Sequence, residues 1–165
     1  MNKKLWIMIG IPGSGKTTYA KNILIPKIKL LNETVNYISR DEIRFSMLTE
    51  EDSYFAKEDA VYSEFISQIS KSIENYDNTI ADATHLNLPS RKKLINSLND
   101  ILKKYHIFII GTIMTTPFEI CDQRNNKREG RLKVPFTTLK NMYEKSFCVP
   151  NPRIETYFNE IRLVR

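Results

Sequence analysis

Eight consecutive residues, Gly10-Ile-Pro-Gly-Ser-Gly15-Lys16-Thr17, constrain this chain more than any other segment. They satisfy G-x-x-x-x-G-K-[ST] at every specified position. The run before them, residues 5–9, is continuously apolar and reads as a buried strand, and a helical pattern follows. In that context the glycines let successive backbone N–H groups turn inward around phosphate oxygens, and the following helix adds positive potential. Gly13, Ser14, Gly15, Lys16, Thr17 and Thr18 are therefore the expected nucleotide-binding residues. Lys16 is expected to reach the β- and γ-phosphates, and the Thr17 hydroxyl to bind Mg²⁺. The Asn/Thr-Lys-x-Asp element that reads guanine is absent from the sequence. ATP, with Mg²⁺, is the expected nucleotide. The loop alone is silent on where a phosphoryl group goes.

Along the chain, strand and helix patterns alternate. Strands are expected at residues 5–9, 34–39, 78–83, 106–114 and 161–164. Helices are expected at 17–30, bent or shortened by Pro26, at 41–48, at 54–76 and at 89–104, with Pro89 as its first residue. Two more are expected at 117–130, capped by Gly130, and within 135–147. The alternation predicts an α/β fold, a parallel sheet covered by helices on both faces, with the loops after the strands gathered along one ligand-binding edge. Without repeats, low-complexity tracts or linker-like stretches, residues 1–165 are expected to form one domain, with a lid at about residues 121–135.

Charge is unevenly distributed. Residues 1–82 hold 10 Lys and Arg against 12 Asp and Glu, while residues 83–165 hold 15 against 7, within a net +6. A basic second half suits a polyanionic partner, and equally a basic protein kept soluble by solvated lysines. Cys121 and Cys148 have no close pair and read as reduced thiols, and His85 and His106 are too scattered for a zinc site. No apolar run approaches the ~20 residues needed to span a membrane, so no membrane association is expected. Residues 1–9 have the look of a secretory signal, but the apolar stretch is short and runs straight into the glycine loop, and a cytoplasmic location is expected. Nothing in the sequence points to a protein partner.

Three further segments carry chemistry. Asp41 directly follows the second strand, beside the phosphate loop, where a carboxylate can take a proton from an attacking hydroxyl. Arg44, one helical turn later, would orient Asp41 or hold an acceptor phosphate; a helix N-cap aspartate with a solvated arginine is the plain alternative. Asp82 ends the third strand, where a second carboxylate would hold Mg²⁺ through water. Arg124 and Arg128 fall four apart in one expected helix and so face the same way, a lid's cationic face or a solvated one.

Together the stretches Gly10–Thr18, Ser39-Arg-Asp-Glu-Ile-Arg44, Asp82-Ala-Thr-His-Leu-Asn87, Arg124-Asn-Asn-Lys-Arg128 and Val134-Pro135 resemble the kinase domain of the phage polynucleotide kinase-phosphatase family and its bacterial relatives. Pro89 and Arg91 also stand where that family has a Pro and an Arg. The resemblance covers residues 7–146. It implies an ATP-dependent kinase of 5′-hydroxyl ends of RNA or DNA. Asp41 would then be the general base and Arg44 the holder of the phosphate on the 3′ side of the acceptor nucleotide. Lys16 and Arg128 would stabilise the transferring group, and Arg124 would touch ATP. Thr84 and Val134 would line the acceptor pocket, Val134 against the terminal base, while Asp82 lies open between metal and acceptor roles. Ser39 and His85 depart from the phage enzyme, which has Asn at both places; its aspartate is one position nearer the threonine, and its lid lacks the extra residue near Glu129. The phosphatase motif Asp-x-Asp-x-Thr does not occur, which implies a kinase without 3′-phosphatase activity. Two other readings stand: a P-loop kinase of a sugar, nucleoside or sugar-nucleotide, as in zeta-type toxins, and a nucleotide-dependent binding module.

Overall fold

A computed structural model describes residues 3–165; Met1 and Asn2 of the signal-like start lie outside them. Five strands, β1 (Lys4–Ile9), β2 (Val35–Ser39), β3 (Asn78–Asp82), β4 (Phe108–Met114) and β5 (Glu160–Val164), form one sheet in the order β2-β3-β1-β4-β5. Every neighbouring pair is parallel. The buried strands β1 and β4 read as apolar runs because both sheet faces are covered; β3 is equally buried but reads Asn-Thr-Ile-Ala-Asp, with Asn78 accepting from the Trp6 indole and Asp82 from the Thr17 hydroxyl. In β1 the alternation is explicit: Leu5, Ile7 and Ile9 join a core with Phe65, Ile69, Leu94 and Leu98, while Trp6 and Met8 face Ala20, Leu24 and Ile28. Strand order reverses beside β1, since β2 lies beyond β3 on one side and β4 on the other. The loop leaving β1 therefore opens at the switch point where such sheets bind ligands.

The helices are α1 (Lys16–Tyr19), α2 (Ile25–Leu30), α3 (Arg40–Met47), α4 (Glu58–Asn75), α5 (Leu88–Ser97), α6 (Asn99–Lys104), α7 (Phe118–Asn126) and α8 (Phe136–Asn141). Several boundaries differ from expectation for identifiable reasons. Pro26 does not end the first helix. A π-helical turn, Ala20–Leu24, joins α1 to α2, with the Ile25 N–H reaching the Ala20 carbonyl, and this wider turn accommodates the proline. The helix expected from residue 54 begins at Glu58, where Glu58 and Asp59 suit its positive end, and Phe55, ahead of it, is 66% exposed. Asn87 and Ser90 form a capping box that starts α5 at Leu88, one residue before Pro89, and Leu98 separates α5 from α6. His106 is not in β4. It takes the left-handed conformation (φ 51°) that closes α6, with Ile107 and His106 donating to the Leu102 and Lys103 carbonyls. The segment expected within 135–147 is helical as α8 plus a π-helical turn, Met142–Ser146. No described helix is long and apolar enough to cross a membrane.

Candidate active site

Sheet register sets the site. Ser39, Asp82, Met8 and Thr112 lie side by side at the carboxyl edge, so the segments after β1, β2 and β3 meet there. The phosphate loop is held on both sides. The Gly10 N–H donates to the Thr84 carbonyl (3.0 Å), and the Thr116 hydroxyl donates to the Ser14 carbonyl (2.7 Å). Two glycines are required by geometry. Gly13 (φ 81°) leaves no room for a side chain, whose first carbon would run into the Cys121 carbonyl, and Gly15 is at φ 92°. Ser14 is buried, and its Oγ has no hydrogen-bond partner among the described residues.

Lys16 is buried, folded back so that Nζ donates to the Gly10 (2.9 Å) and Ile11 (3.1 Å) carbonyls. Burial pulls its pKa down, with Arg128 adding to the effect; Asp82 and Asp41 pull the other way. Those opposing fields put both carboxylates within electrostatic reach of this ammonium. The Thr17 hydroxyl donates to Asp82 Oδ2 (2.8 Å), which also accepts from the Tyr37 hydroxyl (2.5 Å). Burial, then the adjacent Asp82 carboxylate, raises the Tyr37 pKa, so the phenol stays a proton donor. Thr18 is exposed on the outer side of α1.

This arrangement fits a nucleotide phosphate with Mg²⁺. The loop is a cradle that a Cβ at Gly13 would fill, Ser14 Oγ is an orphaned polar atom, and Thr17 with Asp82 offers the hard oxygen donors Mg²⁺ prefers. Among the described residues no group of three His, Cys, Asp or Glu could form an all-protein metal cage. Mg²⁺ ordinarily needs none, because it keeps waters and substrate oxygens.

Asp41 stands in the first turn of α3, directly after β2. Ser39 caps that helix by accepting from the Glu42 N–H, so the N-cap is Ser39 and the Asp41 carboxylate is left for other partners. Its Oδ1 accepts from Arg44 Nη1 (2.5 Å) and from the Tyr54 hydroxyl (2.7 Å), while the side chain is 60% exposed. Arg44 is not solvated. It is buried, its Nη2 donates to Glu58 Oε2 (2.7 Å), and the Tyr54 ring centre lies 4.3 Å from the guanidinium carbon. Glu58 also pairs with Arg40.

The basic segment corrects one expectation. Arg124 lies on α7, but α7 ends at Asn126, so Arg128 is beyond it and the two arginines do not share a helix. The cause is Asn125, which is buried and grips the Val134 backbone. Its amide donates to the Val134 carbonyl (2.7 Å) and its oxygen accepts from the Val134 N–H (2.9 Å). That clamp folds segment 127–134 back against the helix. Gly130 (φ 55°) sits in a 3₁₀ turn, Gly130–Leu132, instead of capping α7. Arg124 Nη1 donates to the Gly13 carbonyl (3.2 Å), whereas Arg128 has no ion-pair partner among the described residues. Arg131 crosses to the carbonyls of Thr49 and Asp52 (2.9 and 3.0 Å).

Thr84, half-buried, enters through its backbone. The next residue, His85, is buried with Nδ1 on the Met8 carbonyl (2.8 Å), and burial lowers its pKa to about 4. Below this loop, Arg91 is fully buried. It pairs with Glu155 through Nε (2.6 Å) and Nη2 (2.9 Å), and Nη1 donates to the His85 carbonyl (3.0 Å). Sequence reasoning missed Tyr37, Tyr54, Glu58 and Asn125. Asn125 lies inside the quoted Arg124–Arg128 stretch, and the period-two pattern of β2 carries Tyr37 to the side of Ser39. No sequence signal marks the return of Tyr54 to Asp41.

Known proteins share this fold. A protein of Autographa californica nuclear polyhedrosis virus, provisionally named a bifunctional polynucleotide kinase/RNA ligase, is 24% identical over 163 residues. The alignment takes in 91% of this chain, which spans only 22% of the length of that curated relative. Chaetomium thermophilum Kti12, solved in complex with ADP-AlF3, superposes with a TM-score of 0.68 at 16% identity, over 97% of this chain and 88% of its own. A chain of the Pnkp1/Rnl/Hen1 RNA repair complex gives 0.63 at 23% identity, over 87% and 46%. A sugar kinase from Janibacter gives 0.61 at 17% identity, over 98% and 84%. These likenesses show the P-loop kinase-like fold. The model of one family, described as an AAA domain, matches residues 5–146, and the chain belongs to that AAA domain family (AAA_33).

Proposed function

We propose that this chain is an ATP-dependent polynucleotide 5′-hydroxyl kinase, one domain over residues 1–165 with a lid at about 121–135, akin to the kinase domain of the phage polynucleotide kinase-phosphatase family. The observation that carries the phosphotransfer reading is the Asp41 carboxylate, 60% exposed in the first turn of α3, at the sheet edge where the phosphate loop also opens. The polynucleotide acceptor is supported by the viral relative, which aligns along 91% of the chain, and by the basic second half.

In this reading the backbone of Gly13 to Thr18 binds the ATP phosphates, with Arg124 beside them. Lys16 leaves the Gly10 and Ile11 carbonyls for the β- and γ-phosphate oxygens. A magnesium ion held by Thr17, and through water by Asp82, would neutralise charge on those phosphates. The acceptor 5′-hydroxyl gives its proton to Asp41 as its oxygen bonds the γ-phosphorus. The bond from that phosphorus to the bridging oxygen breaks and ADP leaves. Lys16 and Arg128 offset charge on the transferring group. Arg44 orients Asp41 or holds the acceptor phosphate, and Thr84 and Val134 line the acceptor side. A small-molecule acceptor is favoured by one observation: both terminal nitrogens of Arg44 are already engaged, beneath Tyr54.

Salt dependence separates the two. With a 5′-hydroxyl oligonucleotide as acceptor, kcat/KM is expected to fall steeply between about 50 and 200 mM salt. A sugar or nucleoside phosphorylated better than the oligonucleotide, with little salt dependence, would contradict the polynucleotide reading.

A further inference from the structure

We propose that Tyr54 is a positioning residue for Asp41, forming with Arg44 and Glu58 a clamp that fixes Oδ1 and leaves Oδ2 as the proton acceptor. This rests on the reading of Asp41 as the base. The two oxygens of Asp41 are not equivalent. Oδ1 accepts two hydrogen bonds, from Arg44 Nη1 (2.5 Å) and from the Tyr54 hydroxyl (2.7 Å), and Arg44 Nη1 also reaches that hydroxyl at 2.8 Å. Among the described residues nothing hydrogen-bonds Oδ2, and the side chain is 60% exposed.

The clamp is itself fixed from behind. Glu58, in the first turn of α4, takes Arg44 Nη2 at 2.7 Å and also pairs with Arg40. The Tyr54 ring lies over the Arg44 guanidinium and meets Phe45 and Phe55 edge-on, with ring centres 6.1 and 4.7 Å away. These contacts orient the phenol. It donates to a carboxylate whose free oxygen then has one direction, which is what general-base catalysis requires of its base. The acceptor hydroxyl proton passes to Oδ2 while Oδ1 keeps both donors, so no proton leaves the clamp.

The test uses Tyr54→Phe, which keeps the ring over Arg44 and removes only the hydroxyl, beside Asp41→Asn and the wild type. With oligonucleotide and ATP, Tyr54→Phe is expected to lower kcat about tenfold with both KM values unchanged. Tyr54→Phe at wild-type kcat, with Asp41→Asn inactive, overturns the proposal alone. A lowered acceptor KM with kcat intact also overturns it and makes Tyr54 an occupant that the acceptor displaces. Wild-type turnover by Asp41→Asn overturns the base assignment itself, and the clamp with it.

Discussion

At the residue scale, the site uses positions that tolerate few replacements. Gly13 combines a left-handed φ with a carbonyl where its Cβ would stand, so Gly13→Ala is expected to weaken nucleotide binding at least tenfold and destabilise the fold by about 1–3 kcal/mol. A nucleotide titration and a melting curve on the same variant read both effects. Lys16→Ala, Asp41→Ala and Arg128→Ala are each expected to lower turnover about a hundredfold or more while leaving the fold intact; near-normal turnover with Asp41→Ala would remove it from the proposed chemistry. His85 carries a pH dependence of stability. Its folded pKa, about 4, lies below the ordinary 6.5, because burial disfavours the charged ring. Between those values the unfolded chain binds more protons, so the stability is fully present above pH 6.5 and is lost as pH falls, by about 3 kcal/mol at pH 4. His85→Asn, which suits the left-handed backbone (φ 45°), is expected to flatten that slope in denaturant titrations at pH 7 and pH 4.5.

At the element scale, the strands and the phosphate loop were legible because each is written locally. Residues 5–9 must be buried on both faces, and the glycine spacing after them has one structural use. Helix ends were less legible where a tertiary partner decides them. Asn125 looks like any polar helix residue, yet its two bonds to the Val134 backbone end α7 and carry Arg128 off the helix. Asn125→Ala strips Val134 of both partners and is expected to cost about 1–3 kcal/mol. Amide exchange at Val134 should quicken in that variant while exchange in β1 stays slow; unchanged exchange at Val134 would mean the clamp is incidental. The beginning of α4 at Glu58, later than the apolar spacing suggests, has a similar reason. Tyr54 fits the apolar spacing of the helix, but its hydroxyl is drawn to Asp41 and the ring to Arg44. The site's carboxylates and arginines could be named from their places after strands, whereas the phenols that direct them could not, since those contacts span separate elements.

At the scale of the whole molecule, the site is braced by residues far from it in sequence. Arg91 and Glu155 pair at full burial, and the same guanidinium holds the His85 and Cys148 carbonyls, tying segment 147–158 beneath the loop after β3. Burial opposes the Glu155 charge, but the bonds from Arg91 and Tyr157 prevail and keep its pKa low. Arg91→Met would leave that carboxylate buried without its partner and is expected to cost about 3–5 kcal/mol. Arg91→Met with Glu155→Leu is expected to restore much of the loss in a denaturant titration. The parallel sheet was predicted from alternation alone, while this cross-brace depends on two charges 64 residues apart that no local pattern pairs. The direct measurement of the acceptor is transfer from γ-labelled ATP, with Mg²⁺, to a short 5′-hydroxyl oligonucleotide, beside the same strand already 5′-phosphorylated and beside the Asp41→Asn variant. A 5′-hydroxyl kinase puts label on the 5′-hydroxyl strand alone and loses it in Asp41→Asn; no label on either strand while ATP binds excludes that acceptor.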